Sequence, residues 1–181
     1  MLLDTPLCDF GWKAPDFTLK DPDGKSYTMT EQLGEKGLLI AFICNHCPYV
    51  KAITGRLAQD TQLLMDEGIN VLAVMSNDYQ DYAADSPENM KKFAQDHNFP
   101  FPYLVDEGQE VGRAYGAICT PDFFGLNKDG ELQYRGRLDD ARMDSAVDRN
   151  PELVNAMRLI AQTGNGPEQQ QPSMGCSIKW R

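Results

Sequence analysis

Histidine is almost absent from this chain, with two residues in 181, and basic charge is in deficit, with 17 Lys and Arg against 27 Asp and Glu. Two imidazoles leave little choice of acid, base or metal ligand. A net charge of −10 argues against nucleic acid and anionic membrane as partners, because both require basic patches. Long apolar runs are missing too. The N-terminal apolar stretch ends at Asp4 after Met1–Leu3 and has no basic residue before it. It reads as neither a signal peptide nor a membrane span, and the expected compartment is the cytoplasm. There is no internal repeat. Cysteine is scarce and odd in number: Cys8, Cys44, Cys47, Cys119 and Cys176. Without a secretion signal that is a poor disulfide framework, and such cysteines are more often catalytic, metal-binding or buried.

What remains is one domain's worth of chain with 41% hydrophobic residues, enough to bury a sizeable core. Its pattern alternates strand and helix. Asp16–Leu19 and Ser26–Met29 flank the turn Asp21-Pro22-Asp23-Gly24 and read as a hairpin. Leu38–Ile43 and Ile69–Met75 are apolar runs of the kind that fill central strands buried on both faces. Between them Val50, Ile53, Leu57 and Leu64 recur at helical spacing, with Gly68 as the stop. Ser86-Pro87-Glu88 is an N-cap, a first-turn proline and a first-turn acid, opening a helix to about His97. Phe101–Val105 reads as a strand, and Asp106 as the cap of a short helix carrying Val111, Ala114 and Tyr115. Asp122–Leu126 and Glu131–Arg137 flank Asn127-Lys128-Asp129-Gly130, a second hairpin, and Asn150-Pro151-Glu152 opens a last helix. Residues 163–172 are linker-like, and the tail after them carries Cys176, Ile178 and Trp180. The order gives an α/β sandwich around a mixed sheet.

The chemistry concentrates at Cys44-Asn45-His46-Cys47-Pro48, between a buried strand and an amphipathic helix. Proline is favoured at the first helical position, which puts Cys47 at the helix N-terminus. Unpaired N–H groups and the helix dipole there favour thiolate over thiol and lower a cysteine pKa from about 8.5 toward roughly 3.5–7.5. The thiolate is the attacking species, so Cys47 is the candidate nucleophile. Cys44 completes a Cys-x-x-Cys pair and is either its resolving partner or a small apolar residue closing the strand. Cys176 is either a resolving thiol brought by the tail or a passenger in a segment anchored by Ile178 and Trp180. Cys119 is read as buried. His46 is either a proton donor tuning Cys47 or a polar loop residue. Lys51, Arg135, Arg137 and Asp139-Asp140 read as solvated surface.

The segment around Cys47 resembles the active site of the thioredoxin superfamily, in its peroxiredoxin-like branch of alkyl hydroperoxide reductase and thiol-specific antioxidant proteins. Gly11-Trp12-Lys13-Ala14-Pro15-Asp16-Phe17-Thr18-Leu19 with Asp23-Gly24-Lys25 resembles the opening of that branch, and Thr120-Pro121 resembles the cis-proline loop that faces the active cysteine. The resemblance implies a thioredoxin-like fold, a central mixed β-sheet flanked by helices with an N-terminal β-hairpin extension. With the linker-like composition, a thioredoxin-like domain is expected at residues 1–163 and a mobile linker and C-terminal tail at 164–181. The resemblance also implies a substrate groove at Thr120 and Pro121. Counted on this motif, the first thioredoxin cysteine falls on Cys47 and the second on Val50. The peroxiredoxin threonine falls on Cys44 and the peroxiredoxin arginine near Pro121.

Three functions follow. The first is thiol–disulfide exchange through a mixed disulfide on Cys47, with Cys44 or Cys176 resolving, His46 and Pro48 supporting, and protein or small-molecule disulfides as substrates. The second is an atypical, antioxidant thiol peroxidase acting on peroxides. The third is a non-catalytic binding module. The first two call for a thiol electron donor and no other cofactor. A zinc set of Cys44, His46, Cys47 and Cys176 would require adjacent His46 and Cys47 to face one ion with Cys44, so no metal is expected.

Overall fold

The computed structural model describes residues 1–144 and 147–181. Its main sheet is built on β4 (Leu38–Phe42), whose five residues are all buried, with β5 (Asn70–Met75) parallel to it on one side and β8 (Asp122–Leu126) antiparallel on the other. Alternation explains why an unbroken apolar run suits this place. Leu38, Ile40 and Phe42 enter one core, with Leu72, Val74, Leu104 and Phe124, whereas Leu39, Ala41 and Ile43 enter the other, with Val71, Ala73 and Phe123. The sheet continues through β6 (Tyr103–Val105) to the hairpin β2 (Thr18–Lys20) and β3 (Ser26–Thr28), and beyond β8 to β9 (Leu132–Tyr134). The resulting order is β3-β2-β6-β5-β4-β8-β9, a mixed sheet with the expected N-terminal hairpin on one edge.

Helices cover both faces. After α1 (Met29–Gln32), α2 (Pro48–Lys51) and α3 (Thr54–Asp66) follow β4. The anticipated single helix from Val50 is broken at Ala52–Ile53, where the Ile53 N–H donates to the Val50 carbonyl three residues back, a tight bond that ends one helix before the next begins. In α4 (Pro87–Asp96) the Ser86 hydroxyl accepts from the Asn89 N–H, the cap its sequence announced. In α5 (Glu110–Tyr115) the Asp106 carboxylate accepts from the N–H groups of Val111 and Gly112. Leu153, Val154, Met157 and Ile160 of α6 (Glu152–Thr163) are buried against the sheet. Among the described residues no helix is long and apolar enough to cross a membrane.

Two expectations need correction. Arg135 and Asp139 are not solvated surface. Arg135 is buried and forks onto Asp122, Nη2–Oδ2 2.8 Å and Nε–Oδ1 3.2 Å. Asp139 is buried between Arg56 and Arg149. Burial is tolerable because each charge is paired.

The C-terminal segment, expected as a mobile tail, carries a strand. β10 (Met174–Ser177) lies antiparallel between β1 (Leu2–Asp4) and the short β7 (Cys119–Thr120), forming a second sheet. Ser173 exchanges hydrogen bonds with Thr5 before the strand, and after it the Ile178 and Lys179 N–H groups donate to the Ile118 carbonyl and to Asn77. Both ends are therefore tied to the body of the protein.

Candidate active site

The end of β4 and the start of α2 place the reactive segment. Cys47 is the N-cap residue of α2, with extended backbone angles, and its carbonyl accepts from the N–H groups of Val50 and Lys51. Pro48 follows at the first helical position and sacrifices no N–H that the helix needs. Opposite stands the Thr120-Pro121 peptide, which is cis, immediately before β8.

The two segments meet at sulfur. Cys47 Sγ lies 3.3 Å from the Thr120 carbonyl oxygen, and Cys44 Sγ lies 3.4 Å from Thr120 Oγ1. A hydrogen bond from the Cys44 thiol is the largest influence on Cys47, ahead of burial, with smaller ones from the Cys176 backbone, the Thr120 side chain and the Val50 backbone. These donors outweigh burial and bring the Cys47 pKa down to about 4. The same hydrogen bond, with burial and the charge of Asp85, pushes Cys44 well above the usual thiol range. Burial, followed by the hydrogen bond to Cys47, raises Cys176. One thiolate thus stands among two thiols that keep their protons. Cys119, next to Thr120, is buried and pushed up to about 12, chiefly by desolvation. It is a packing residue, as read from sequence.

Water access differs from the expectation. A thiol at a helix N-terminus is expected within reach of water, yet residue 47 is 0% exposed. The covering comes from its own chain, because β10 packs across α2 and pairs Cys176 with Thr120.

His46 belongs to a neighbouring polar cluster that the sequence did not announce. Its Nδ1 lies 2.6 Å from Oδ2 of the fully buried Asp85, an ion pair when the ring carries a proton, and its ring stacks on Tyr82. Asp85 also accepts from the Asn45 N–H at 2.7 Å and from Asn77 Nδ2 at 2.9 Å. Cys44, His46 and Asp85 bring one donor atom each within 4.8 Å of one another. They could hold a metal ion only in competition with these hydrogen bonds and with the Cys44–Cys47 contact. Asp85 lies in Ala83-Ala84-Asp85-Ser86, where no periodicity marks it, and only its place just before a helix cap hinted at a fixed position.

Beside Pro121 lies a cavity of about 250 Å³ lined by Tyr49, Ile53, Phe123, Leu138 and Met174, with Arg137 also on its wall. It adjoins the Cys47 turn through Tyr49.

Residues 10–135 match the AhpC/TSA family. The chain belongs to that family. It is similar to the thiol-disulfide oxidoreductase ResA of Geobacillus thermodenitrificans, with 27% identity over 123 residues, 68% of this chain and 66% of that protein's length. An uncharacterized conserved protein from Geobacillus kaustophilus has a solved structure similar over 100% of this chain and 97% of its own, at 40% identity and a TM-score of 0.93. The thioredoxin domain of a thiol-disulfide oxidoreductase from Bacteroides vulgatus shares the fold, with a TM-score of 0.59 at 19% identity over 70% of this AhpC/TSA chain and 86% of that one. The architecture is accordingly thioredoxin-like, as the resemblance implied.

Proposed function

We propose that this AhpC/TSA protein is a thiol–disulfide oxidoreductase with Cys47 as its nucleophile. One observation carries the reading: the Cys47 sulfur stands at the N-cap of α2, opposite the cis Thr120-Pro121 peptide and beside the Cys44 thiol, whose hydrogen bond lowers its pKa to about 4 and so leaves it a thiolate at neutral pH. That is the protonation state thiol exchange needs. The Cys47 thiolate attacks one sulfur of a substrate disulfide, the substrate S–S bond breaks, and one substrate thiolate leaves. A second thiol, Cys44 or Cys176, then gives up its proton and attacks the Cys47 sulfur, releasing the other substrate thiolate. Two equivalents of an external thiol reduce the new internal disulfide and reset the site. For Cys44 the nearby proton acceptor is the His46–Asp85 pair. Cys44 stands at the peroxiredoxin threonine position and the arginine position falls near Pro121, so the peroxide-polarising pair is missing there, which favours disulfides over peroxides as substrates.

The test is to mix reduced protein with a model protein disulfide and, separately, with peroxide and a sulfenate-reactive probe. Reduction of the disulfide that disappears in Cys47→Ser is the expected result. Rapid sulfenate labelling of Cys47 without disulfide reduction would move the assignment to an antioxidant peroxidase, in which Cys47 cycles through sulfenic acid.

A further inference from the structure

The backbone at Thr120, beside the cis proline, is a strand edge to which an extended chain can pair. Here that edge is occupied. Cys176 pairs antiparallel with Thr120, and Ser177 with Cys119. The seat is close: a Cβ built on Gly175 would lie 1.7 Å from the Thr120 carbonyl oxygen and 3.1 Å from the Pro121 nitrogen. Only glycine fits this register. One residue on, Cys176 lies opposite Thr120, whose carbonyl oxygen is 3.3 Å from the Cys47 sulfur. One residue back, Met174 lines the cavity beside Pro121. A cysteine-bearing polypeptide about to exchange with Cys47 would need this arrangement of backbone, cysteine and preceding side chain.

We propose that Met174–Ser177 is an internal stand-in for substrate: it caps the reactive thiol, and a protein substrate reaches Cys47 by replacing it with an extended segment whose cysteine follows a glycine. The inference rests on the exchange function assigned to Cys47 and goes beyond it by naming the partner and its local sequence. The replacing strand takes over the pairing with Thr120, and its cysteine sulfur takes the place of Cys176. The Cys47 thiolate then attacks that sulfur where it is already joined in a disulfide, and the distal sulfur leaves as thiolate. The sealed state of residue 47 follows from the same arrangement, since β10 is what lies across α2.

Two arms test this on the full-length reduced protein. In the first, Gly175→Val pushes β10 off its edge, and the alkylation rate of Cys47 by iodoacetamide is compared with wild type. If the strand leaves the edge in no more than about a tenth of wild-type molecules, the variant reacts roughly tenfold faster or more. The second arm needs no variant. Short peptides carrying the tail's own Met-Gly-Cys-Ser sequence, or Met-Val-Cys-Ser, are activated at cysteine as the thionitrobenzoate disulfide. The Cys47 thiolate bonds to the peptide sulfur and thionitrobenzoate leaves. The glycine peptide should modify Cys47 about tenfold faster, since the valine peptide must overpack against Thr120. Equal alkylation of wild type and Gly175→Val, or equal rates with the two peptides, overturns the proposal. Ultraviolet absorbance of the thiolate separates this from failure of the parent reading: thiolate present at neutral pH with equal rates sinks the substrate mimic alone, whereas thiolate absent sinks both.

Discussion

Replacing Cys44 with alanine removes the thiol whose hydrogen bond is the largest influence on Cys47. Cys44 Sγ is held in place by Thr120 Oγ1 at 3.4 Å, and residue 44 is 1% exposed, so water cannot readily substitute for the lost donor. A hydrogen bond to a charged group contributes about 1.5–3 kcal/mol, and about 1.4 kcal/mol corresponds to one pKa unit. Cys44→Ala should therefore move the Cys47 pKa from about 4 to roughly 5–6. The remaining donors, the Cys176 and Val50 N–H groups and the Thr120 hydroxyl, keep it well below an ordinary thiol. The assay is the ultraviolet absorbance of thiolate against pH, with Cys47→Ser as the blank that isolates this one sulfur. An unchanged pKa in Cys44→Ala would refute the claim that the Cys44 thiol holds the Cys47 charge. A wild-type value near an ordinary thiol would refute the hydrogen-bonded site altogether.

Three further outcomes follow from the same structure. Asp122→Asn leaves the buried Arg135 guanidinium without its anion and should lower stability by about 3–5 kcal/mol in urea denaturation; a loss within the scatter of surface substitutions would contradict the buried pair. Leu39→Ala opens a hole in the center of β4, where the residue is 0% exposed, and should cost about 2–5 kcal/mol; a neutral result in the same denaturation series would mean that β4 is not central. The third concerns pH. Cys47 titrates at about 4 when folded against a reference of 9.0, so the folded state binds fewer protons, and this group's stabilisation is complete above about pH 9, shrinks as pH falls and is gone below about pH 4. The stability gap between reduced wild type and Cys47→Ser should therefore be wider at neutral pH than near pH 4, and a gap independent of pH would contradict it.

The sheet's center and the helix start at Cys47-Pro48 were legible in the sequence for local reasons. An apolar run such as Leu38–Ile43 has few homes other than a strand covered on both faces, and Ser86-Pro87 and Cys47-Pro48 announce helix starts through the chemistry of the first turn. The parts that escaped depend on distant partners. Met174–Ser177 carries no strand periodicity and includes a glycine; it is a strand because Leu2–Asp4 and Cys119–Thr120 offer edges on both sides. Arg135 looks like any surface arginine until Asp122, thirteen residues earlier, is seen beneath it. Asp85 is likewise defined by what reaches it, namely His46, Asn45 and Asn77. Composition and spacing register none of these long-range pairings.

The proposed chemistry requires the Cys47 sulfur to be charged at a pH where an ordinary thiol is not. The most direct measurement is the pH profile of its reaction with a small aromatic disulfide, followed by mass spectrometry of the adduct on Cys47. The rate should stay level from neutral pH down toward the pKa of about 4 and fall only there. A rate that drops about tenfold for each pH unit below neutrality, as a thiol titrating near 8.5 requires, would contradict it.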